Sequence, residues 1–324
     1  MTTESYFLTT LCIPTFNRRD VVYSLIQDLI SEEINLISKI IVVDDGSTDM
    51  TFEALQEFNS IQNIKIYRNE SNLSYAKNFL KCFHLSDTKF IIMGTDDDIF
   101  YKNGIQDIQK QLKSFDPDFI STRFKSLAST RTKKSRKEID FLQIWNAAKH
   151  SPGIIYKRKS IISIEEKLLD LLERENLAAF FFPQIILATI LKSSNKLLIF
   201  SEIEISRKRS SNQQKTQLLD QNGNHYLSLS NLTKRHNDFI IFYEELLQNS
   251  DYRNQHLNIK KLLLQHRSSL YENFKACLKS ENIKLANDFR MGEQKKIISY
   301  FKPKKYYFLL MEMLKKYLVF SDKK

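Results

Sequence analysis

The chain has 324 residues, of which 42% are hydrophobic and 27% charged, which is the composition of a folded globular protein. Its 6 glycines and 5 prolines exclude collagen-like and linker-dominated classes, and its 14 tyrosines and 23 phenylalanines argue against disorder. The three cysteines are far apart and odd in number, which excludes a disulfide framework and favours a reducing, cytoplasmic compartment. We expect neither a secretion signal nor a membrane-spanning helix, because no apolar run is long enough.

The net charge of +11 is concentrated in the second part of the chain. Residues 1–130 hold 13 basic and 18 acidic side chains, whereas residues 131–324 hold 36 and 20. Residues 290–324 interleave basic side chains with Tyr, Phe and Leu. This combination favours contact with an anionic membrane surface, a nucleic acid or another subunit, and a solvated helix end is the simpler alternative.

The first hundred residues alternate short apolar runs with stretches of helical spacing. Strands are predicted at residues 7–13, 39–43, 64–67 and 89–93, and helices between them at residues 20–30, 48–58 and 74–82. Pro14 closes the first strand, and Thr48 or Asp49 is available as the N-cap of the second helix. This alternation predicts an α/β fold in which helices cover a mostly parallel sheet.

The pattern is weaker after residue 115. Further strands are predicted at residues 118–123 and 196–205, and further helices at residues 164–174 and 185–191, while residues 154–156 are an apolar run after Ser-Pro-Gly. Residues 207–221 are polar and are predicted to form a linker, beyond which only helical patterns remain. We therefore divide the chain into an α/β domain over residues 1–210 and a smaller, basic, helical region over residues 211–324.

Polar segments follow three of the predicted strands, at residues 14–18, 44–49 and 95–98. Ligands of parallel sheets bind beyond the carboxyl ends of the strands, so the three segments are expected to meet in one cleft. The triplet Asp96, Asp97 and Asp98 indicates a cation, since adjacent carboxylates repel one another. Hard oxygen ligands select Mg²⁺ or Mn²⁺, whose shell the phosphates of a nucleotide complete. Capping of a turn near Tyr101 is the alternative for Asp98.

Asp44 and Asp45 end another strand and offer acceptors for a base edge or for ribose hydroxyls. A purely capped turn is the alternative, with Ser47 and Asp49 capping the next helix. Two acidic strand ends in one such sheet favour the binding site.

These motifs resemble those of the family 2 glycosyltransferases, enzymes of the GT-A fold that use nucleotide-activated sugars. The resemblance rests on four segments: Cys-Ile-Pro-Thr-Phe-Asn-Arg at 12–18, Ile-Val-Val-Asp-Asp-Gly-Ser-Thr-Asp at 41–49, the element from Asn69 to Asn78, and Thr-Asp-Asp-Asp at 95–98. It covers about the first 105 residues strongly, continues weakly to about residue 205, and does not reach the C-terminal third. The resemblance implies a GT-A fold for the first domain.

The resemblance also implies roles for individual residues. The nucleotide-binding residues would be Pro14, Thr15, Asn17, Arg18, Asp44, Asp45, Lys77 and Asp96, with Lys77 near the diphosphate. Asp97, and then Asp98, would bind Mg²⁺ or Mn²⁺. Thr95 stands where many members carry the first carboxylate of the metal motif, so which two carboxylates ligate is left open.

The resemblance implies an inverting displacement in which a carboxylate deprotonates the acceptor hydroxyl while the metal stabilises the departing diphosphate. The position where many members carry this base holds Phe182, Pro183 and Gln184, none of which is a carboxylate. Glu175 and Glu173 lie upstream and are the substitute candidates, although exposed charges at a helix end would look the same. Gln184 is a candidate for binding the acceptor or the donor, because its Pro-Gln pair resembles that of a subset of O-antigen transferases.

The resulting hypothesis is a metal-dependent, inverting glycosyltransferase of capsule or O-antigen biosynthesis. It would move a sugar from a nucleotide-diphosphate donor, with a UDP-sugar favoured, to a lipid-linked or polymeric glycan, while residues 290–324 hold it at the inner face of the membrane. A nucleotidyltransferase is one alternative. It should carry a glycine-rich phosphate loop after the first strand, and the loop at that place has no glycine. A non-catalytic assembly protein with a decayed transferase domain is another. No nucleic-acid motif is present. Apolar positions in the C-terminal helices suit a homo-oligomer interface, with packing inside the monomer favoured.

Overall fold

The structure is a computed structural model, and it describes residues 8–31, 37–122, 147–148, 152–174, 182–191 and 197–208. The helical region expected over residues 211–324 lies outside the described residues, as do Glu175 and the basic segment 290–324. The linker expected at residues 207–221 also lies outside them, except for its first two residues.

Nine strands and seven α-helices form within the described ranges. In chain order they are β1 (Thr9–Thr15), α1 (Arg19–Ser31), β2 (Lys39–Asp44), α2 (Thr51–Leu55, continued by a 3₁₀ turn at Gln56–Ser60), β3 (Ile64–Arg68), α3 (Tyr75–Leu85), β4 (Phe90–Met93), β5 (Asp98–Phe100), α4 (Lys102–Phe115), β6 (Phe119–Ser121), β7 (Ile154–Lys157), α5 (Arg158–Ile162), α6 (Glu165–Arg174), α7 (Phe182–Ile190), β8 (Leu198–Phe200) and β9 (Ser206–Lys208).

Seven of these strands form one sheet in the order β3-β2-β1-β4-β7-β6-β8. The strands β3, β2, β1 and β4 are mutually parallel, β7 is antiparallel to both of its neighbours, and β6 pairs with β8 in parallel. The expectation of a mostly parallel sheet with helices is confirmed. Because the first four strands are parallel, their carboxyl ends lie along one edge.

Each central strand contributes to two hydrophobic clusters, because successive side chains point to opposite faces of the sheet. Cys12 and Ile41 pack in one cluster, together with Phe79 from α3 and Phe182 from α7, whose rings meet edge to face at 5.9 Å. The other faces of β1 and β2 pack against α1. Helices cover both faces, which explains why the strands are continuous apolar runs instead of alternating ones.

The first strand does not stop at Pro14 as expected, but runs through it to Thr15. β1 pairs with β4 only as far as Cys12, whose carbonyl accepts the N–H of Gly94. Pro14 lies two residues further on and faces the same side, where the β4 ladder has ended. Its missing N–H therefore removes no sheet hydrogen bond, and the strand delivers Thr15 to the sheet edge.

Two other expectations about local structure were wrong. The first two residues of the expected linker belong to β9, which pairs antiparallel with β5 so that Asp98 lies opposite Lys208. The helix expected at residues 48–58 is shorter, because α2 begins only at Thr51, whose N–H donates to Asp49 Oδ1 at 3.1 Å.

None of the helices in the described part of the chain is long and apolar enough to cross a bilayer.

Candidate functional site

Three loops meet at the carboxyl edge of the parallel strands. The Thr15 hydroxyl donates to Asp96 Oδ2 at 2.9 Å, which joins the end of β1 to the loop after β4. The backbone N–H of Asn17 donates to Ser47 Oγ at 2.8 Å, which joins the same end of β1 to the loop after β2. The expected convergence of the three polar segments is confirmed.

The loop after β1 contains an asparagine in the left-handed conformation. Asn17 has a φ of 51°, a region that asparagine tolerates better than most residues with a Cβ. Its Oδ1 accepts the N–H of Thr48 at 2.8 Å. The next carbonyl, that of Arg18, accepts the N–H groups of Val21 and Val22 in the first turn of α1. These bonds fix the backbone of Arg18 on both sides.

Asp44 organises the loop after β2. It is fully buried, its two oxygens accept the N–H of Ser47 at 3.2 Å and the Ser47 hydroxyl, and Arg68 Nε lies 3.7 Å away. Burial raises the pKa of Asp44, and the two hydrogen bonds and the Arg68 charge oppose that rise. Gly46 completes the turn with a φ of 74°, and a Cβ there would lie 2.9 Å from the Ser71 backbone. Ser47 does not cap α2, because its hydroxyl donates to Asp44 and accepts the N–H of Asn17; only Asp49 accepts an N–H of that helix, that of Thr51. A nucleotide-binding role for Asp44 stays a prediction.

Asp45 belongs to a buried amide network. Its Oδ1 accepts the Leu73 N–H at 2.9 Å and Asn69 Nδ2 at 2.6 Å, and Asn69 Nδ2 also donates to Asn78 Oδ1 at 3.0 Å. The amide oxygen of Asn69 accepts Lys81 Nζ at 2.6 Å. Because an ammonium can only donate, Lys81 fixes which end of the Asn69 amide faces Asp45. The network therefore presets the orientation of the Asp45 carboxylate.

The acidic loop after β4 is built around Thr95. The Thr95 N–H donates to Asp98 Oδ2 at 2.9 Å, and the Thr95 hydroxyl lies 2.9 Å from Asp97 Oδ1 and 3.0 Å from Asp98 Oδ2. On the opposite side, Arg18 Nε lies 3.2 Å from Asp96 Oδ1, and Arg18 Nη2 lies 3.5 Å from Asp97 Oδ2. All three carboxylates are buried. Asp96 and Asp97 therefore share one guanidinium, while Asp98 accepts the hydrogen bonds from Thr95 that close the loop.

Burial raises the pKa of Asp96 to about 6 and that of Asp98 to about 7. Both groups titrate near pH 4 in the unfolded chain, so their contribution to the stability of the metal-free protein is fully present below about pH 4 and is lost as the pH rises towards 7.

The side chain of the variant Asp98→Asn cannot titrate. Its unfolding free energy relative to wild type is therefore expected to increase as the pH rises from 5 to 8. Urea unfolding of both proteins across that range measures this difference, and parallel curves would contradict the expectation. Asp20→Asn, which changes an exposed carboxylate, is the control.

A strained residue precedes α3 beside this site. Ser74 has φ 76° and ψ 158°, a region that is essentially restricted to glycine. Ser74→Gly is expected to raise the unfolding free energy by about 1 kcal/mol, because the relief of strain exceeds the backbone entropy that glycine costs. Urea denaturation measures the change. Ser71→Gly, three residues earlier and without a positive φ, is the control and is expected to lower stability; equal effects of the two changes would refute the strain.

The residues present fit a divalent cation. Asp98 Oδ1 is buried and has no hydrogen-bond partner in the described part of the chain, and the loop offers only hard oxygen donors. Within the described ranges, no group of three or more His, Cys, Asp and Glu side chains forms a complete protein cage. Mg²⁺ and Mn²⁺ bind through one or two carboxylates and take further oxygens from phosphates and water.

The other candidate residues lie elsewhere. Lys77 is half-buried in the first turn of α3, and Glu173 is exposed near the end of α6. Gln184 is fully buried in α7, and neither its amide nitrogen nor its amide oxygen has a hydrogen-bond partner among the described residues. No hydrogen bond between described residues links Glu173 or Gln184 to the acidic loop. Glu175 lies outside the described residues, so the identity of the base stays a prediction.

Sequence reasoning missed Lys81 and the role of Arg68. Lys81 lies one helical turn after Asn78 on α3, so the spacing of these two residues was a usable signal once α3 was predicted. Arg68 ends β3 and donates to the Ser47 carbonyl at 2.9 Å, a contact that depends on the neighbouring strand order.

A mostly parallel sheet with an acidic, amide-rich carboxyl edge is the architecture of α/β domains that bind ligands beyond the ends of their strands. The chain belongs to glycosyl transferase family 2, whose family model matches residues 10–179. A curated relative, abequosyltransferase RfbV of Salmonella typhimurium, is 31% identical over 110 residues, which are 33% of this chain and 33% of the relative. The match thus spans about a third of that relative's length.

Solved structures share the fold. TarS 1-349 from S. aureus superposes with a TM-score of 0.56 at 15% identity, over 92% of this chain and 82% of that chain. A second TarS 1-349 structure, in complex with UDP-GlcNAc, has a TM-score of 0.53 at 14% identity over 92% and 88%. The mannosyltransferase PcManGT from Pyrobaculum calidifontis, in complex with GDP-Man and Mn²⁺, has a TM-score of 0.53 at 11% identity over 98% and 88%. The GT-A fold expected from the sequence is confirmed.

Proposed function

We propose that this protein transfers a sugar from a nucleotide-diphosphate donor to a lipid-linked or polymeric glycan in surface polysaccharide biosynthesis. The observation that carries the proposal is the joining of Thr15 and Arg18, at the end of β1, to Asp96 and Asp97, at the end of β4. A guanidinium, a helix N-terminus and buried carboxylates lie together there, and this combination suits a diphosphate and its cation. Membership of the family and the similarity to an abequosyltransferase support it.

The nucleotide would lie along the edge formed by the loops after β1 and β2. Asp45, preset by the Asn69 network, would accept hydrogen bonds from the base or ribose, and Arg18 and Lys77 would face the diphosphate. A UDP-sugar is the proposed donor, supported by the UDP-GlcNAc complex of a structural neighbour. A nucleotidyltransferase is disfavoured, because the loop after β1 lacks the glycines that a phosphate loop needs.

Mg²⁺ or Mn²⁺ would be held by Asp97 and Asp98, the latter through its unpartnered oxygen. When bound, the ion supplies a Lewis acid that stabilises the charge of the departing diphosphate. The chain itself holds the acidic loop in place, because Thr15 donates to Asp96 and Thr95 donates to Asp97 and Asp98. The Mn²⁺ complex of a structural neighbour supports a divalent ion in this fold.

The acceptor hydroxyl must lose a proton in an inverting displacement, and Glu175 and Glu173 are the proposed bases. Gln184 cannot take a proton, since an amide is neither acid nor base near neutral pH. Its amide offers two donors and one acceptor oxygen, all unpartnered and buried, which suits the hydroxyl groups of a sugar. We therefore assign Gln184 to binding of the acceptor or the donor.

A thermal-shift panel of nucleotide diphosphates and nucleotide sugars, each with and without Mn²⁺, tests the donor site. A ligand that binds only the folded state raises the melting temperature by mass action. We expect one nucleotide to stabilise the protein, and only when the cation is present. Its identity also shows which nucleobase the sugar donor carries. If no nucleotide stabilises the protein with or without the cation, the transferase proposal fails in favour of a decayed domain in an assembly protein.

We also propose that the protein works in the cytoplasm at the inner face of the membrane, bound through residues 290–324. Basic side chains interleaved with aromatic ones suit an anionic lipid surface. The full chain should sediment with anionic vesicles and not with neutral ones. If deletion of residues 300–324 leaves sedimentation unchanged, the membrane role of this segment is refuted.

A further inference from the structure

The acidic loop already holds a positive charge, the guanidinium of Arg18. Arg18 Nε lies 3.2 Å from Asp96 Oδ1 and Arg18 Nη2 lies 3.5 Å from Asp97 Oδ2, and the three side chains are between 9% and 20% exposed. Carboxylates this buried need a positive partner to stay ionised. Arg18 supplies it, since its charge lowers the pKa of Asp96 against the rise that burial causes.

A guanidinium and a divalent cation cannot occupy this place together. Mg²⁺ binds carboxylate oxygens at about 2.1 Å and takes several further ligands around it, so it needs the space next to those oxygens. Two cations against the same carboxylate, that of Asp97, also repel each other strongly at a site that water screens poorly. Binding of the ion at Asp97 therefore requires the guanidinium to leave.

The surrounding structure lets Arg18 leave without moving the backbone. Its carbonyl is held by the first turn of α1, and the preceding Asn17 is tied to the loop after β2 at both its N–H and its Oδ1. Its side chain is 20% exposed, so part of it faces solvent. It departs from the N-terminus of a 13-residue helix, where the helix dipole and the N–H groups favour phosphate. The planar fork of arginine matches phosphate oxygens in pairs.

We propose that Arg18 exchanges partners. It neutralises Asp96 and Asp97 in the metal-free protein, and it moves to the diphosphate of the donor when a divalent cation binds Asp97. The inference rests on the proposed function, because it requires a nucleotide-diphosphate donor. Its consequence is cooperative binding: the cation needs Arg18 displaced, the donor holds it displaced, and each ligand therefore strengthens binding of the other by the same factor.

The test is Mn²⁺ binding to the full chain, followed by the electron spin resonance of free Mn²⁺, with and without UDP. Arg18→Gln removes the competing charge, so it is expected to bind Mn²⁺ alone about tenfold more tightly than wild type and to lose most of the strengthening by UDP. Arg19→Gln is the matched control, since it changes the net charge equally at the next residue, whose side chain pairs with the exposed Asp20. It should bind Mn²⁺ as wild type does.

Arg18→Lys is a second variant, which keeps the positive charge but not the planar guanidinium with its paired N–H donors. It is expected to bind Mn²⁺ alone as weakly as wild type and to show a reduced effect of UDP. If Arg18→Gln and Arg19→Gln bind Mn²⁺ equally while UDP still strengthens Mn²⁺ binding in wild type, the exchange is refuted and the donor site stands. If wild type binds no Mn²⁺ even with UDP, both the metal site and the exchange are overturned.

Discussion

Replacing Asp97 with asparagine is expected to lower the rate of sugar transfer by about a thousandfold without unfolding the protein. Asparagine has the same shape, so the contact with Thr95 is kept, but it removes the charge that faces Arg18 and, in our proposal, the cation. Loss of a charged metal ligand acts on the transition state, because negative charge builds up on the departing diphosphate there. A factor of a thousand corresponds to about 4 kcal/mol of lost stabilisation.

The measurement is release of UDP from a UDP-sugar in the presence of Mn²⁺ and acceptor, together with the melting temperature of each variant. Asp107→Asn is the control, since Asp107 is an exposed carboxylate on α4 that pairs with Lys110. It should transfer sugar at the wild-type rate. If Asp97→Asn transfers sugar within tenfold of the wild-type rate and still requires Mn²⁺, Asp97 is not a ligand of the cation.

The sheet and its binding edge were accessible from the sequence because a parallel sheet leaves a clear signature. Val and Ile runs buried on both faces have no polar alternation, and each stops abruptly at polar residues where the strand ends. Asp44 and Asp96 could therefore be placed at one edge before any coordinates were known, since parallel strands must end on the same side. The edge follows from topology, and topology follows from the alternation of strands and helices.

The missed features depend on contacts that have no local pattern. β9 is three polar residues, Ser206–Lys208, whose strand conformation comes from pairing with β5 and not from their own propensity. The pairing of Arg18 with Asp96 joins residues 78 positions apart, and only the packing of β1 against β4 brings them together. The conformation of Ser74 was missed for a different reason. A serine in a sequence gives no sign of a positive φ, so the sequence predicts an ordinary helix start there.

The hydrogen bonds of Asn69 predict a large loss of stability for one substitution. Asn69→Asp changes one atom, but the new carboxylate cannot donate, so Asp45 Oδ1 and Asn78 Oδ1 both lose a hydrogen bond. It also brings two carboxylates within hydrogen-bond distance at a residue that is only 2% exposed. The nearby Lys81 offsets part of the repulsion. The unfolding free energy at pH 8 is expected to fall by about 3 kcal/mol, and UDP binding should weaken because Asp45 loses its preset orientation.

The pH dependence of this variant identifies the cause. Repulsion within the pair raises the pKa of one carboxyl in the folded state above its unfolded value, so the variant holds an extra proton when folded and its deficit should shrink as the pH falls from 8 towards 5. Protonation at that carboxyl also restores a donor between the two oxygens. Urea unfolding at both pH values, with Asn103→Asp on the exposed first turn of α4 as the control, measures the change. A deficit that is the same at pH 5 and pH 8 would mean that lost packing, and not the paired carboxylates, destabilises the variant.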